Sequence, residues 1–235
     1  MISIGNFFFK YRNIIFIALY IALFIPSRSL FGDGNYLWAI ILGLLVTVGG
    51  QLVRAATIGL AYIIRGGRDG KVYAEELVTE GIFNHCRNPL YVGNILMLLG
   101  VGILSDSLLY VAVLIPIFLF IYHTIVLAEE NFLRNKFGEK YEAYCKRVPR
   151  WLIKFSGLGT TTSNMHYNWR RYLIKEYNTL YIWLTGITLV LLFKHPRIYD
   201  NDDSKRNLLL AVILPLLLLG YLFIRYLKKS GKLKE

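Results

Sequence analysis

The chain has 235 residues, of which 55% are hydrophobic and 18% are charged, and its mean hydropathy is +0.46. This composition is too apolar for a soluble domain and too rich in aromatic residues for a disordered chain or a coiled coil, so the sequence predicts an integral membrane protein. The formal net charge of +12 would suggest nucleic acid in a soluble protein. In a membrane protein, Lys and Arg report topology first, and no nucleic-acid partner is expected.

The apolar residues lie in long runs. A bilayer core of about 30 Å needs roughly 20 apolar residues in a helix. Six runs meet or approach this length: 14–31, 36–53 with an apolar continuation to 64, 90–104, 108–128, 177–193 and 207–227. Only Ser105, Asp106 and Ser107 separate the third run from the fourth, which predicts a tight antiparallel hairpin. The sequence therefore predicts an all-α fold, a polytopic membrane helix bundle with about six transmembrane helices.

The basic residues predict the orientation of this bundle. Most of the 27 Lys and Arg flank run ends that would lie on one side: Lys10 and Arg12 precede the first run, and the others fall in segments 65–87, 134–175 and 225–234. The side rich in Lys and Arg faces the cytosol, so we expect a multi-pass protein of the cytoplasmic membrane with both termini cytosolic. Cys86 and Cys145 fall in these cytosolic segments, and neither a disulfide nor a metal site is expected.

A polar stretch divides the chain. Residues 157–164 read Gly-Leu-Gly-Thr-Thr-Thr-Ser-Asn, which is typical of a flexible linker. We predict a membrane core over 1–156 and a second part over 157–235, made of the linker, an interfacial segment and a two-helix membrane hairpin. The segment after the linker interleaves aromatic and cationic residues, as interfacial belts do.

Two polar motifs flank the predicted hairpin. Before it the chain reads Gly81-Ile82-Phe83-Asn84-His85-Cys86-Arg87-Asn88-Pro89-Leu90-Tyr91-Val92-Gly93, and after it come Glu129-Glu130, Phe137-Gly138, Tyr141, Tyr144 and Pro149-Arg150. In order and spacing, residues 49–151 resemble the isoprenylcysteine carboxyl methyltransferase family and the related phospholipid methyltransferases. The chain departs from the family pattern at Ile82-Phe83, where Pro-Tyr is usual, and at Asn88, where His is usual. An asparagine can hydrogen-bond a cofactor but cannot shuttle a proton.

The resemblance implies a cytosolic-side pocket for the cofactor S-adenosylmethionine. The implied cofactor-binding residues are Gly81, His85, Arg87, Asn88, Pro89, Tyr91, Gly93, Glu129, Glu130, Tyr141 and Tyr144. In this cofactor a carboxylate suits Arg87, while an ammonium group or ribose hydroxyls suit Glu129 or Glu130. Tyrosine rings can wall the adenine or the sulfonium.

Arg54 and Arg150 are the candidate catalytic residues, which would orient an acidic acceptor. Arg54 shares a helix face with Gln51 inside an apolar run, where a charge is costly and typical of function. We expect a lipid-like or prenylated acceptor that enters sideways from the bilayer, through a gap between the second and fourth helices beside Arg54.

Two other classes of function stay open from sequence. One is a sterol-reductase-like enzyme that uses NADPH, because that group resembles the same core. The other is a noncatalytic membrane protein or transporter, against which the lack of a visible inverted repeat counts. The oligomeric state and the identity of the acceptor are not predicted.

Overall fold

The computed structural model describes residues 1–32, 34–60, 65–68, 71–74, 76–163 and 165–234. Its α-helices are α1 Ile2–Ile21, α2 Tyr36–Leu60, α3 Pro89–Leu104, α4 Ile115–Phe137, α5 Glu139–Arg147, α6 Leu158–Ser163, α7 Trp169–Lys194 and α8 Asp203–Lys229. Short 3-10 turns span Ala22–Phe24, Gly81–Asn84 and Pro196–Tyr199, and a π-helical turn spans Tyr110–Leu114. A small antiparallel hairpin joins β1 Arg65–Arg68 to β2 Lys71–Ala74.

The described helices confirm an all-α polytopic bundle. Five of them are long and apolar enough to cross a membrane: α1 with its 3-10 extension, α2, α4 with its π turn, α7 and α8. The remaining predicted span, the third run at 90–104, corresponds to α3, which has 16 residues. A helix of that length rises about 24 Å, which suits a short span packed against longer neighbours. The protein is therefore a multi-pass membrane protein.

The first span lies earlier in the chain than residues 14–31, where the sequence placed it. Helix α1 covers Ile2–Ile21, and the chain leaves the helical conformation at Ile25, whose φ is −64° and ψ is 129°. Pro26 explains this end, because the residue before a proline is sterically disfavoured in the helical region. Arg12, expected ahead of the span, therefore lies within it, and its guanidinium stacks 4.7 Å from the ring of Phe9.

Helices α2 and α3 pack closely through glycine. A Cβ added at Gly100 would lie 2.6 Å from the Cα of Thr47, and one added at Gly50 would lie 2.6 Å from the backbone N of Met97. Small residues at such contacts let two backbones approach, which is a common way to hold membrane helices together. This contact fixes the position of α3, which carries the downstream part of the first polar motif.

The turn between α3 and α4 also anchors the loop between the first two spans. Asp106 adopts a left-handed conformation, with a φ of 51°. Its carboxylate accepts hydrogen bonds from the backbone N–H groups of Leu30 and Phe31, at 2.9 and 3.2 Å, and from the Ser29 hydroxyl at 2.6 Å. The three residues of this connection thus both close the predicted hairpin and hold the neighbouring loop.

The predicted flexible linker contains a helix. Helix α6 occupies most of it, and the Thr162 hydroxyl donates back to the carbonyl of Leu158 at 3.0 Å. Polar short side chains thus satisfy helical backbone groups that a free linker would leave to water. Asn164, and the predicted continuation of the second run over 61–64, lie outside the described residues.

The second part of the chain packs on the first. The indole N–H of Trp183 donates to the Thr47 hydroxyl at 2.7 Å, and the ring of His195 bonds the carbonyl of Leu104. These contacts join α7 to α2 and to the end of α3. A division of the chain after residue 156 stays a prediction.

The orientation in the membrane is a testable prediction. In a background without the native cysteines, Ser204→Cys in the first turn of α8 should react with an impermeant maleimide on intact cells. Ser230→Cys at the end of α8 should react only after permeabilisation. Both positions are exposed, so access to the membrane side alone should decide labelling. Labelling of Ser230→Cys on intact cells would show that the protein has the opposite orientation.

Candidate active site

The first polar motif folds into a short turn followed by the start of α3. Gly81 opens the 3-10 turn with a φ of 59°, a conformation that glycine adopts without strain. Pro89 occupies the first turn of α3, where a missing N–H leaves no helical bond unmade. Between them, the backbone N–H of Arg87 donates to the carbonyl of Pro149 at 3.0 Å. The two motifs, about 60 residues apart in sequence, therefore meet here.

A buried carboxylate lies where they meet. Glu130 near the end of α4 is 2% exposed and accepts two hydrogen bonds from Arg150, Nε to Oε1 at 3.0 Å and NH2 to Oε2 at 2.7 Å. The NH1 of Arg87 lies 3.6 Å from Oε1 of the same carboxylate. The hydrogen bond to Glu130 raises the pKa of Arg150, so this guanidinium stays charged. Two cations on one carboxylate leave a net positive charge at the site.

Arg87 has an unused donor. Its NH1 also donates to the Sγ of Cys145, but its Nε is buried and makes no hydrogen bond within the part of the chain that the structure describes. Buried N–H groups almost always have a partner in native proteins. An orphaned guanidinium donor beside a net positive charge fits an anionic group of a ligand.

Glu129 serves a different neighbour from Glu130, because successive side chains on a helix point about 100° apart. Its Oε1 accepts a hydrogen bond from the hydroxyl of Tyr91 at 2.7 Å, which joins α4 to the first turn of α3. The ring of Tyr91 lies 5.4 Å from the ring of Tyr122 in an edge-to-face arrangement. A carboxylate therefore stands next to an aromatic wall on this side.

Other predicted cofactor residues hold the site together. The ring nitrogens of His85 bond the carbonyl of Lys154 at 2.6 Å and the Thr161 hydroxyl at 2.8 Å, so both are engaged by protein. The side-chain amide of Asn88 donates to the carbonyl of Arg150 at 3.3 Å. These geometries suit a supporting role, because they fix residues 150–161 over the first motif.

The two predicted tyrosines of α5 are buried. The hydroxyl of Tyr144 donates to the carbonyl of Phe83 at 2.7 Å, and its ring centroid lies 6.1 Å from that of Tyr141. Burial, with the nearby charge of Glu130, raises the pKa of Tyr141, so its hydroxyl stays protonated. Phe83 stands where the resemblance expects tyrosine, and its backbone supplies the contact to α5. The structure thus places Tyr141 and Tyr144 next to the 3-10 turn of the first motif.

Gly93 lies at a close contact between α2 and α3. A Cβ at this position would lie 2.5 Å from Cγ of Arg54 and 2.8 Å from the carbonyl oxygen of Gly50. The glycine is therefore required by packing against α2. It lets the Arg54 side chain cross the surface of α3.

Arg54 belongs to a second polar cluster. Its Nε and NH2 donate to the two carboxylate oxygens of Glu176 on α7, at 2.6 and 2.7 Å, and its NH1 donates to the side-chain oxygen of Asn94 at 2.6 Å. Each nitrogen of the guanidinium thus has a protein partner. The structure does not bring Arg54 to Glu130, whereas it does bring Arg150 and Arg87 there.

Sequence reasoning missed Asn94 and Glu176. Asn94 could have been predicted from sequence, because a lone amide inside an apolar helix is unusual and Arg54 lies in the neighbouring span. Glu176 could not have been predicted, since it lies among aromatic and basic residues that are typical of a solvated interface. Only the packing of α7 against α2 reveals that it is buried.

An apolar groove lies beside the site. It encloses about 580 Å³ between α3 and α4 and is lined by Val92, Ile95, Leu96, Leu119, Phe120, His123 and Trp151. The rings of His123 and Trp151 lie 6.4 Å apart at its polar end. Trp151 directly follows Arg150, so one lining residue of the groove adjoins a residue that binds the buried carboxylate. From sequence we expected an acceptor gap between the second and fourth helices. The observed groove lies between α3 and α4 instead. The sequence alone does not determine which helices are neighbours.

Comparison with known proteins identifies two kinds of relatives, methyltransferases and proteins named for metal resistance. The family model described as phospholipid methyltransferase matches residues 38–140. The chain is 30% identical to the cobalt-zinc-cadmium resistance protein CzcN of Cupriavidus metallidurans over 192 residues, which are 80% of this chain and 83% of CzcN. The chain belongs to the phospholipid methyltransferase family. No solved structure matches it.

Other members of the family extend the match. The chain is 29% identical to the nickel-cobalt-cadmium resistance protein NccN of Alcaligenes xylosoxydans xylosoxydans, over 62% of this chain and 66% of NccN. It is 33% identical to the protein-S-isoprenylcysteine O-methyltransferase of Schizosaccharomyces pombe over 73 residues, which are 31% of each chain. Membership in a family of membrane methyltransferases agrees with the resemblance of the two polar motifs.

Proposed function

We propose that the protein is an S-adenosylmethionine-dependent methyltransferase that acts on an amphipathic acceptor held in the bilayer. The observation that carries the proposal is the meeting of the two family motifs around Glu130, with the unused donor of Arg87 beside it. The names of CzcN and NccN describe a cellular effect and not a reaction. They therefore do not compete with methyl transfer as an account of the chemistry.

The described residues fit the charged groups of this cofactor. The net positive charge of Arg87, Arg150 and Glu130 suits its carboxylate, and the free Nε of Arg87 can donate to it. Glu129 suits the ammonium group, and the neighbouring ring of Tyr91 suits a cationic sulfonium. Asn88 and His85, by contrast, already bond protein groups, so we propose that they hold the site in shape and do not contact the cofactor.

When bound, S-adenosylmethionine supplies an activated methyl group, so the protein need not supply a nucleophile. The task left to this chain is to align the acceptor with the methyl group and to exclude water. Arg150 is half-buried and retains one terminal nitrogen that does not bond Glu130. We propose that this nitrogen orients an acidic or polar acceptor head at the inner end of the groove.

The groove supports a lipid-like acceptor. Its walls between α3 and α4 are aliphatic and aromatic, and His123 and Trp151 stand at the end next to Arg150. An acceptor chain in this groove would stay in an apolar environment during entry, which avoids roughly 0.8 kcal/mol of re-exposure for each methylene. An isoprenyl or acyl chain would occupy the groove, with the reacting head at its polar end.

The proposal is tested by cofactor binding. Glu129→Gln removes a charged acceptor but keeps the side-chain shape, and a lost charge-assisted hydrogen bond costs roughly 1.5–3 kcal/mol. We expect calorimetry on the detergent-solubilised protein to show binding of S-adenosylmethionine by the wild type, weakened about tenfold or more in the variant. Glu142→Gln on the exposed face of α5 is the matched control and should bind as the wild type.

Two results would reject this assignment. Binding of NADPH and not S-adenosylmethionine by the wild-type protein would favour the reductase alternative. Equal affinity of wild type and Glu129→Gln, with both folded, would remove Glu129 from the cofactor site.

A further inference from the structure

The buried ion pair between α2 and α7 lies outside the cluster formed by Glu130, Arg87 and Arg150. The side chain of Arg54 is 11% exposed and that of Glu176 is 1% exposed, and two parallel hydrogen bonds join them. Ionised residues within membrane spans are costly and are kept for function more often than for stability. The pair also joins the second part of the chain to the first.

Further polar groups hold Glu176 in place. Its Oε1 accepts a hydrogen bond from the side-chain amide of Gln51 at 3.3 Å, and the same amide donates to the hydroxyl of Tyr172 at 3.1 Å. Both partners are on the helices that carry the ion pair. The carboxylate of Glu176 is therefore held by Gln51 as well as by Arg54, and Tyr172 holds the Gln51 amide, which together orient the guanidinium.

Arg54 in turn holds α3 in position. Its NH1 donates to Asn94 at 2.6 Å, and its aliphatic stem lies against Gly93, where a Cβ would clash. Asn94 stands three residues after Tyr91, so the two side chains lie on neighbouring turns of one helix face. Tyr91 in turn donates to Glu129. Hydrogen bonds thus link α7 to Arg54 and Arg54 to Asn94, and the first turns of α3 connect Asn94 to Tyr91 and to a carboxylate of the candidate cofactor site.

We propose that Glu176 is a positioning residue of the active site, supplied by the second part of the chain. It holds Arg54, and Arg54 fixes the rotation of the first turns of α3 that present Tyr91 to Glu129. Glu176 does not contact the cofactor, so its effect reaches the site only through α3. This inference rests on the proposed function for its consequence in binding, but the ordering of α3 is independent of it.

The test compares Glu176→Gln with Glu142→Gln, which breaks an exposed ion pair between α4 and α5 instead of a buried one. Hydrogen–deuterium exchange of the cofactor-free protein reports the order of residues 86–95 directly. We expect Glu176→Gln to speed exchange in this segment several-fold, whereas Glu142→Gln should leave it unchanged. Calorimetry should show S-adenosylmethionine binding weakened about tenfold by Glu176→Gln alone.

A double variant separates positioning from stability. Arg54→Met with Glu176→Met removes both buried charges and should unfold at nearly the wild-type temperature, because no unpaired charge remains. Its α3 segment should still exchange fast, since the bond to Asn94 is gone. Wild-type exchange of residues 86–95 in both Glu176→Gln and the double variant would overturn the inference. Failure of the wild-type protein to bind the cofactor, with exchange altered as expected, would reject the proposed function and not the positioning role.

Discussion

Replacing Glu130 by glutamine should lower the free energy of unfolding by about 3 kcal/mol and weaken binding of S-adenosylmethionine at least about tenfold. The substitution leaves Arg87 and Arg150 facing each other without the carboxylate that holds both. Loss of one partner from a buried ion pair typically costs about 3–5 kcal/mol, because the remaining charge stays desolvated. Denaturation in detergent, followed by calorimetry, measures both effects.

Two further variants make this prediction specific. Glu130→Gln with Arg150→Gln restores the original net charge of the cluster, so part of the lost stability should return. Glu142→Gln breaks an exposed pair with Arg134 and should change stability by less than about 1 kcal/mol. Similar losses in Glu130→Gln and Glu142→Gln would mean that the Glu130 cluster is not a desolvated ion-pair site.

Methylation of a long-chain acceptor should be at least about a hundredfold faster, measured as kcat/KM, than methylation of its chain-free head. Each methylene kept in an apolar phase contributes roughly 0.8 kcal/mol, so four of them account for about 3 kcal/mol. The groove between α3 and α4 offers an apolar path for such a chain. The measurement uses protein reconstituted in vesicles and acceptors that differ only in the chain.

A groove variant tests the location of this preference. Leu96→Trp fills the middle of the groove and should raise KM for the long-chain acceptor with little effect on the chain-free head. Leu45→Trp on the exposed surface of α2 is the matched control, because Leu45 is 65% exposed and is not one of the residues that line the groove. Equal kcat/KM for the two acceptors in the wild type would contradict entry from the bilayer.

The sequence was sufficient for the bundle and for the order of the motifs. Long apolar runs have few structural solutions in lipid, because each backbone group must be satisfied within a helix. The first span was placed too late, since Lys10 and Arg12 look like a flank in sequence. In the structure Arg12 instead stacks on Phe9 within α1.

The candidate site was predictable only in part. The family spacing placed Arg87, Arg150 and Glu130 in two motifs, and the fold brings them into one cluster. The roles of His85 and Asn88 depend on which groups face them, and a sequence pattern does not contain that information. The pairing of Arg54 with Glu176 depends on helix neighbours more than 120 residues apart. Such contacts are set by the packing of whole helices.

The most direct test of the account is the transfer of a labelled methyl group from S-adenosylmethionine to a component of vesicles that contain the purified protein and lipid extract. We predict that label appears in the lipid or prenylated fraction with wild-type protein, and that Glu129→Gln reduces its rate about tenfold or more. Absence of label from that fraction, with the wild-type protein folded and the cofactor bound, would contradict a bilayer-held acceptor.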